Sequence, residues 1–113
     1  MSFQDLTKTI ALGVTIAALT AGAAFAQAKP LSALSKADEL FIEYQFSNSV
    51  KWCFNHWRMM LIDPRNSMRT TIDVDMREGS ITFEDKGLSR KVVCEQTGMR
   101  TIFDGEEKFE SYP

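Results

Sequence analysis

Residues 50–61, with the sequence VKWCFNHWRMML, decide the fold of this chain. They contain both tryptophans, the only histidine and one of the two cysteines. At about 100° per residue the apolar side chains gather on one face, which is typical of a helix that packs against another layer. The predicted core face consists of Phe46, Val50, Cys53, Phe54, Trp57, Met60 and Leu61. We therefore expect a central helix on an antiparallel sheet built from the residues after Asn66.

The helical pattern extends back to Lys36 but changes face on the way. Its first part predicts an apolar stripe about 150° away from the later one, formed by Ala37, Leu40, Phe41 and Tyr44. Ser47, Asn48 and Ser49 lie at the switch and favour helix caps over helix interiors. The sequence thus predicts one kinked helix or two short helices. Ser35 is the expected N-cap, and Pro64 is expected to end the helical region at Asp63 and open a connector over 64–67.

From Met68 onward the pattern alternates with a period of two, as in a half-buried strand. The face predicted to be buried contains Met68, Thr70, Ile72, Val74 and Met76. Further strands are expected at 80–84, 88–96 and 99–103, with a weaker, acidic edge strand at 107–112. Polar turns with a positive φ are expected at Gly79, Gly87, Gly98 and Gly105, and Asp104-Gly105 is the strongest hairpin signal. The predicted class is α+β, with the helices on one face of a meander of four to five strands.

Residues 1–26 have the pattern of a cleaved secretory signal peptide. Lys8 precedes an uncharged segment over 10–26 that ends in Ala24-Phe25-Ala26, a small-x-small cleavage pattern. A cut after Ala28 is the alternative, and an uncleaved anchor would be at the short limit for spanning a bilayer. We expect a periplasmic or secreted protein with no stable membrane insertion after cleavage. Residues 27–34 are then a flexible lead-in, and 35–113 a single domain.

Cys53 and Cys94 are the only cysteines. In an oxidising compartment they are expected to pair, joining the central helix to an inner strand. Val92 and Val93 leave the phase of this strand open; if Cys94 faces the helix, Val92 does too. A domain of this size is marginal on its core alone, and closing a loop of about 42 residues stabilises it by roughly 4 kcal/mol in the chain-entropy model. Two buried free thiols are the alternative.

Charge and motifs exclude several classes of function. The net charge of −2 is spread along the chain, so no basic patch predicts nucleic-acid binding. His56 has no surrounding catalytic motif, although Ser47, Ser49 or Asp63 could approach it in space. A zinc site needs three or four ligands; besides His56 only Cys53 and Cys94 could contribute, and neither is available if they are paired. Asp73 and Asp75 share one strand face, where a solvated surface is the ordinary explanation. No cofactor is expected.

Soft ligands leave a copper(I) carrier as an alternative function. The candidate ligands are His56, Met59, Met60, Met68, Met76 and Met99. Methionine is also an ordinary filler of hydrophobic cores, which is the competing explanation for Met60, Met68 and Met76.

A third stripe on the central helix is the strongest functional signal. Trp52, His56 and Met59 lie at i, i+4 and i+7, away from the core face, with Arg58 and Arg65 as a predicted rim. Aromatic residues, Met and Arg are enriched at protein interfaces. The alternative is that the first helix or the N-terminal segment folds back over the stripe, or that the apolar parts of its side chains lie against neighbouring residues. We expect a non-enzymatic exported protein-binding module, such as an inhibitor, adaptor or accessory subunit of an envelope complex. Its partner would be another envelope protein or a second copy. A small secreted enzyme is the remaining alternative.

Overall fold

The computed structural model describes residues 28–113, so the predicted signal peptide lies outside the described residues. The helices are α1 (Lys36–Gln45), α2 (Asn48–Met60) and α3 (Pro64–Arg69). The strands are β1 (Lys29–Pro30), β2 (Thr71–Asp75), β3 (Ser80–Asp85), β4 (Arg90–Cys94), β5 (Gly98–Phe103) and β6 (Glu106–Ser111). Short 3₁₀ turns occupy Leu31–Ala33 and Lys86–Leu88.

The sheet is an antiparallel meander of six strands in chain order. The predicted helix-on-sheet architecture is confirmed, but the sheet has one strand more than the expected four to five. The added strand is β1, where Lys29 pairs with Ile72 and Pro30 with Thr71. Leu31 follows as a buried core residue. The segment expected to be a flexible lead-in is therefore structured from Lys29 onward, because it pairs with β2 and buries an apolar side chain.

The helical region consists of separate helices, one of the two predicted arrangements. The Ser35 hydroxyl accepts a hydrogen bond from the Asp38 backbone N–H, and the Asp38 carboxylate accepts one from the Ser35 N–H, which forms a capping box. α1 ends at Phe46, and Ser47 caps α2 by accepting from the Val50 N–H. The predicted Ser35 cap is confirmed, and Ser47 is the candidate cap residue at the switch that caps α2.

The face that α1 buries differs from the predicted one. Leu40 and Tyr44 point to solvent, whereas Asp38 and Ile42 are buried. Lys29 of β1 draws Asp38 inward through an ion pair of 2.7 Å. The helical pattern could not indicate this, because the partner comes from a strand that the sequence did not predict.

The expected connector after Pro64 is a short third helix. Asp63 caps α3 with Pro64 at the first helical turn, where proline is favoured because its missing N–H has no helical partner. The first long strand accordingly begins at Thr71 instead of Met68, and Met68 is exposed. Thr70, Ile72 and Val74 are buried as predicted.

The core lies between α2 and the middle strands. Val50, Cys53 and Phe54 are buried, Trp57 and Leu61 are half-buried, and Met60 is exposed at the end of α2, contrary to its predicted core position. Phe54 stacks on Phe83 of β3 with ring centroids 5.9 Å apart. Cys53 and Cys94 form the predicted disulfide with Cα atoms 5.8 Å apart, and both are fully buried.

Two of the four predicted glycine turns have a positive φ. Gly79 (φ 67°) and Gly105 (φ 84°) adopt it, and Asp104 (φ 53°) completes the predicted hairpin. Gly98 instead lies within β5, where an added Cβ would lie 2.5 Å from the Glu110 carbonyl oxygen. This glycine permits close approach of β6 instead of a turn.

Within residues 28–113, every helix is too short or too polar to cross a lipid bilayer.

Candidate functional site

Two aromatic rings stack on the exposed side of α2. Trp52 and His56, one helical turn apart, have ring centroids 5.5 Å apart and an interplanar angle of 13°. His56 also contacts the Trp57 ring edge-on at 5.6 Å, and the Trp57 Nε1–H donates to the Met99 sulfur at 2.8 Å. The exposed stack is thereby linked through Trp57 to β5.

Tyr112 supports the stack from the sheet side. Its ring meets Trp52 edge-on at 6.3 Å, and its backbone N–H donates to the Thr97 carbonyl. Burial, with a smaller contribution from Glu95, raises the pKa of Tyr112 to about 12, so its hydroxyl remains protonated at neutral pH. The sequence analysis missed Tyr112, and only its aromatic character could have indicated it.

The stack remains open to solvent. Trp52 is 55% exposed and Met59 is 61% exposed, and His56 is also exposed. The alternative that a neighbouring segment covers this stripe does not hold within residues 28–113: Tyr112 touches Trp52 but leaves more than half of it accessible. We name the surface formed by Trp52, His56, Met59 and Tyr112 the aromatic face.

The two arginines predicted as its rim lie elsewhere. Arg58 points toward α1, where it forms an ion pair of 2.8 Å with Glu39 and lies over the Phe54 ring. Arg65 is in the first turn of α3 and forms its ion pair with Asp63. Arg58 departs from the prediction because it lies about 120° around the helix from Trp52, on the flank that α1 occupies. The aromatic face therefore has no arginine rim of the predicted kind.

An acidic strand, β6, lies at the sheet edge nearest to Tyr112. All six of its residues are exposed. Glu110 pairs in register with Met99 and Glu106 with Phe103, so both glutamates project to the helix side of the sheet, as side chains alternate along a strand. Lys108 is the one basic residue between them. The helix side of the β5–β6 hairpin is thus an accessible, net negative surface, which reaches the aromatic face at Glu110, two residues before Tyr112, while Glu106 lies at the opposite end of β6.

The opposite side of the same hairpin has its charges paired within the molecule. Arg100 bonds to Glu95 and to Glu107 at 2.6 Å each and lies 4.9 Å over the Phe109 ring. Those hydrogen bonds raise the pKa of Arg100 above its ordinary value. Since these partners are already satisfied, this side offers a ligand less than the helix side does.

Comparison with known proteins gives no match: no family model, no curated protein and no solved structure is similar to this chain. The site must therefore be interpreted from its own geometry.

The candidate metal ligands belong to several elements of the fold. In the part of the chain that the structure describes, no three His, Cys, Asp or Glu side chains gather as a metal site would require. Met99 accepts the Trp57 N–H and His56 stacks on Trp52. Met68 lies in α3 and Met76 directly after β2. Asp73 and Asp75 are exposed, and Asp75 caps the following turn through the N–H groups of Arg77 and Glu78.

Proposed function

We propose that this chain is an exported, non-enzymatic protein-binding module that acts in the periplasm or outside the cell. Its binding surface is the aromatic face, and its partner is another envelope protein. The observation that carries the proposal is the exposed Trp52–His56 stack, with centroids 5.5 Å apart and Tyr112 against its edge.

Pre-organisation is the first support for this function. Most of the binding energy of an interface comes from a few residues, among which Trp and Tyr are enriched. Trp52 is held by ring contacts on two sides, so a partner would not have to immobilise it. Ordering a flexible side chain at an interface costs roughly 0.5–1.5 kcal/mol of conformational entropy. Trp52 is already ordered in the stack, so binding would not add this cost.

Charge defines the chemistry of the partner. Glu110 projects to the same side of the sheet as α2 and lies two residues before Tyr112, whereas Glu106 and Asp104 lie at the far end of the same hairpin. A complementary segment would carry an apolar group for the aromatic face and lysine or arginine beside it, because complementary potentials set specificity and association rate. We therefore propose a partner with a basic, amphipathic segment. Two copies of this chain would place these acidic strands together if they met through the same patch, which disfavours a symmetric homodimer.

Affinity purification from the envelope of producing cells tests the proposal. Trp52→Ala should lose the captured partner, since hot-spot truncation costs about 2 kcal/mol or more. Tyr44→Ala is the matched control, because Tyr44 is an aromatic residue 81% exposed on α1 and lies outside the aromatic face. Retention of the partner by both variants, or its loss from both, would contradict the proposed surface.

A further inference from the structure

A second concave site lies at the other end of α2, away from Trp52. It is a cleft of about 310 Å³ between the end of α2, α3 and strands β3–β5, a volume at the lower end of the range of small-molecule sites. Its walls are mostly apolar: Trp57, Met60, Leu61, Phe83, Val92 and Phe103. None of the α2 residues of the aromatic face lines it, so it does not depend on the proposed function.

The charged groups of the cleft differ in whether they have hydrogen-bond and ion-pair partners within the protein. Asp85 is buried and accepts a hydrogen bond of 2.6 Å from Arg69 and another from the Leu88 N–H. Burial would raise the pKa of Asp85, but these hydrogen bonds outweigh it and hold the pKa below its ordinary value. Asp85 is therefore a neutralised carboxylate that needs no ligand.

Arg90 is the contrasting group. It is exposed and lies 5.8 Å over the Phe103 ring. It pairs in register with Asp85 across β3 and β4, but within residues 28–113 it forms no ion pair with a carboxylate. Arg90 and Phe103 pair in register across β4 and β5, which fixes the guanidinium beside an apolar wall. An apolar cleft with the unpaired Arg90 at its side matches a ligand with an apolar chain and a single anionic head.

We propose that this cleft binds a medium-chain monocarboxylate, with the alkyl chain between Trp57 and Phe83 and the carboxylate on Arg90. Burial of methylene groups supplies affinity in proportion to chain length, and the guanidinium supplies a charge-assisted, bidentate contact. A ligand with a cationic head would meet Arg90 unfavourably.

Calorimetric titration of the full domain with hexanoate, octanoate and decanoate, below their micelle concentrations, tests the site. Each two-carbon extension should tighten binding by about tenfold while the cleft accommodates it. Decylammonium should bind at least about tenfold more weakly than decanoate. In a Trp52→Phe variant the remaining Trp57 fluorescence should change on saturation.

Arg90→Gln should weaken decanoate binding by about tenfold or more, whereas Arg77→Gln, which removes the same charge from the β2–β3 turn, should leave it within about twofold. Absence of saturable decanoate binding at millimolar concentration would overturn the proposal. So would equal affinities for decanoate and decylammonium, a comparison that needs no variant, or equal losses from the two arginine substitutions.

Discussion

Removal of the disulfide should lower the free energy of unfolding of this domain by a large fraction. Cys53 and Cys94 are 41 residues apart in sequence, and in the chain-entropy model closing such a loop stabilises the native state by about 4 kcal/mol. Small domains have total stabilities of about 5–10 kcal/mol. The double variant Cys53→Ala, Cys94→Ala should therefore retain only about 1–6 kcal/mol of stability.

Urea unfolding followed by tryptophan fluorescence measures this difference. For a slope of about 1–2 kcal/mol per molar urea, the unfolding midpoint should fall by about 2–4 M. Reductant provides the control: it should lower the midpoint of the wild type by a similar amount and leave the double variant unchanged. A loss below about 1 kcal/mol would refute the view that the covalent link holds the helical layer on the sheet.

Three further predictions follow from single contacts. Lys29 and Ser35 hold the pKa of Asp38 below its ordinary 3.8 despite its burial. The contribution of the Asp38 carboxylate to stability is therefore present above pH 3.8 and is lost as the pH falls through the lowered pKa. Asp38→Asn should cost about 1–3 kcal/mol at neutral pH and reduce the fall of the urea unfolding midpoint at acid pH. Gly98→Ala, whose Cβ would meet β6, should lower the thermal unfolding temperature by more than Gly105→Ala does. At Gly105 only the positive φ opposes a side chain, which costs about 1 kcal/mol. Glu110→Lys should slow association with the captured envelope partner in surface plasmon resonance, whereas Glu78→Lys should not.

Local signals in the sequence account for much of the fold. The Ser35 and Ser47 caps, the Asp104-Gly105 hairpin and the alternation at Ile72 and Val74 are all features that neighbouring residues determine. The disulfide followed from cysteine number and the expected compartment. These predictions are confirmed because each depends on short-range backbone chemistry or on a covalent rule.

Long-range partners account for the differences. The inward position of Asp38 depends on Lys29 in β1, and a two-residue strand is too short to produce an alternating pattern. Pro64 was expected to stop the helical region, yet the Asp63 cap lets it start α3. Gly98 looked like a turn residue but permits the contact between β5 and β6. For Asp38 and Gly98 the contact that decides the structure comes from a residue distant in sequence. For Pro64 the preceding Asp63 is compatible with either a turn or a helix cap.

The candidate site divides in the same way. The helical spacing of Trp52, His56 and Met59 placed them on one exposed stripe, as the structure has them. Arg58 was misplaced because the position of α1 was unknown, and Tyr112 was missed because its contact with Trp52 crosses the fold. The cleft beside Arg90 could not be predicted, since five separate elements form its walls.

Site-specific photo-crosslinking in the intact producing cell tests the aromatic face most directly. A photoreactive residue at Met59 lies on that face, and one at Met76, which is also exposed at 45%, lies at the β2–β3 turn as a matched control. We expect a discrete adduct with an envelope protein from position 59 that disappears when Trp52→Ala is added, and no adduct from position 76. Adducts of equal yield from both positions, or an adduct at 59 that survives Trp52→Ala, would contradict binding through this surface.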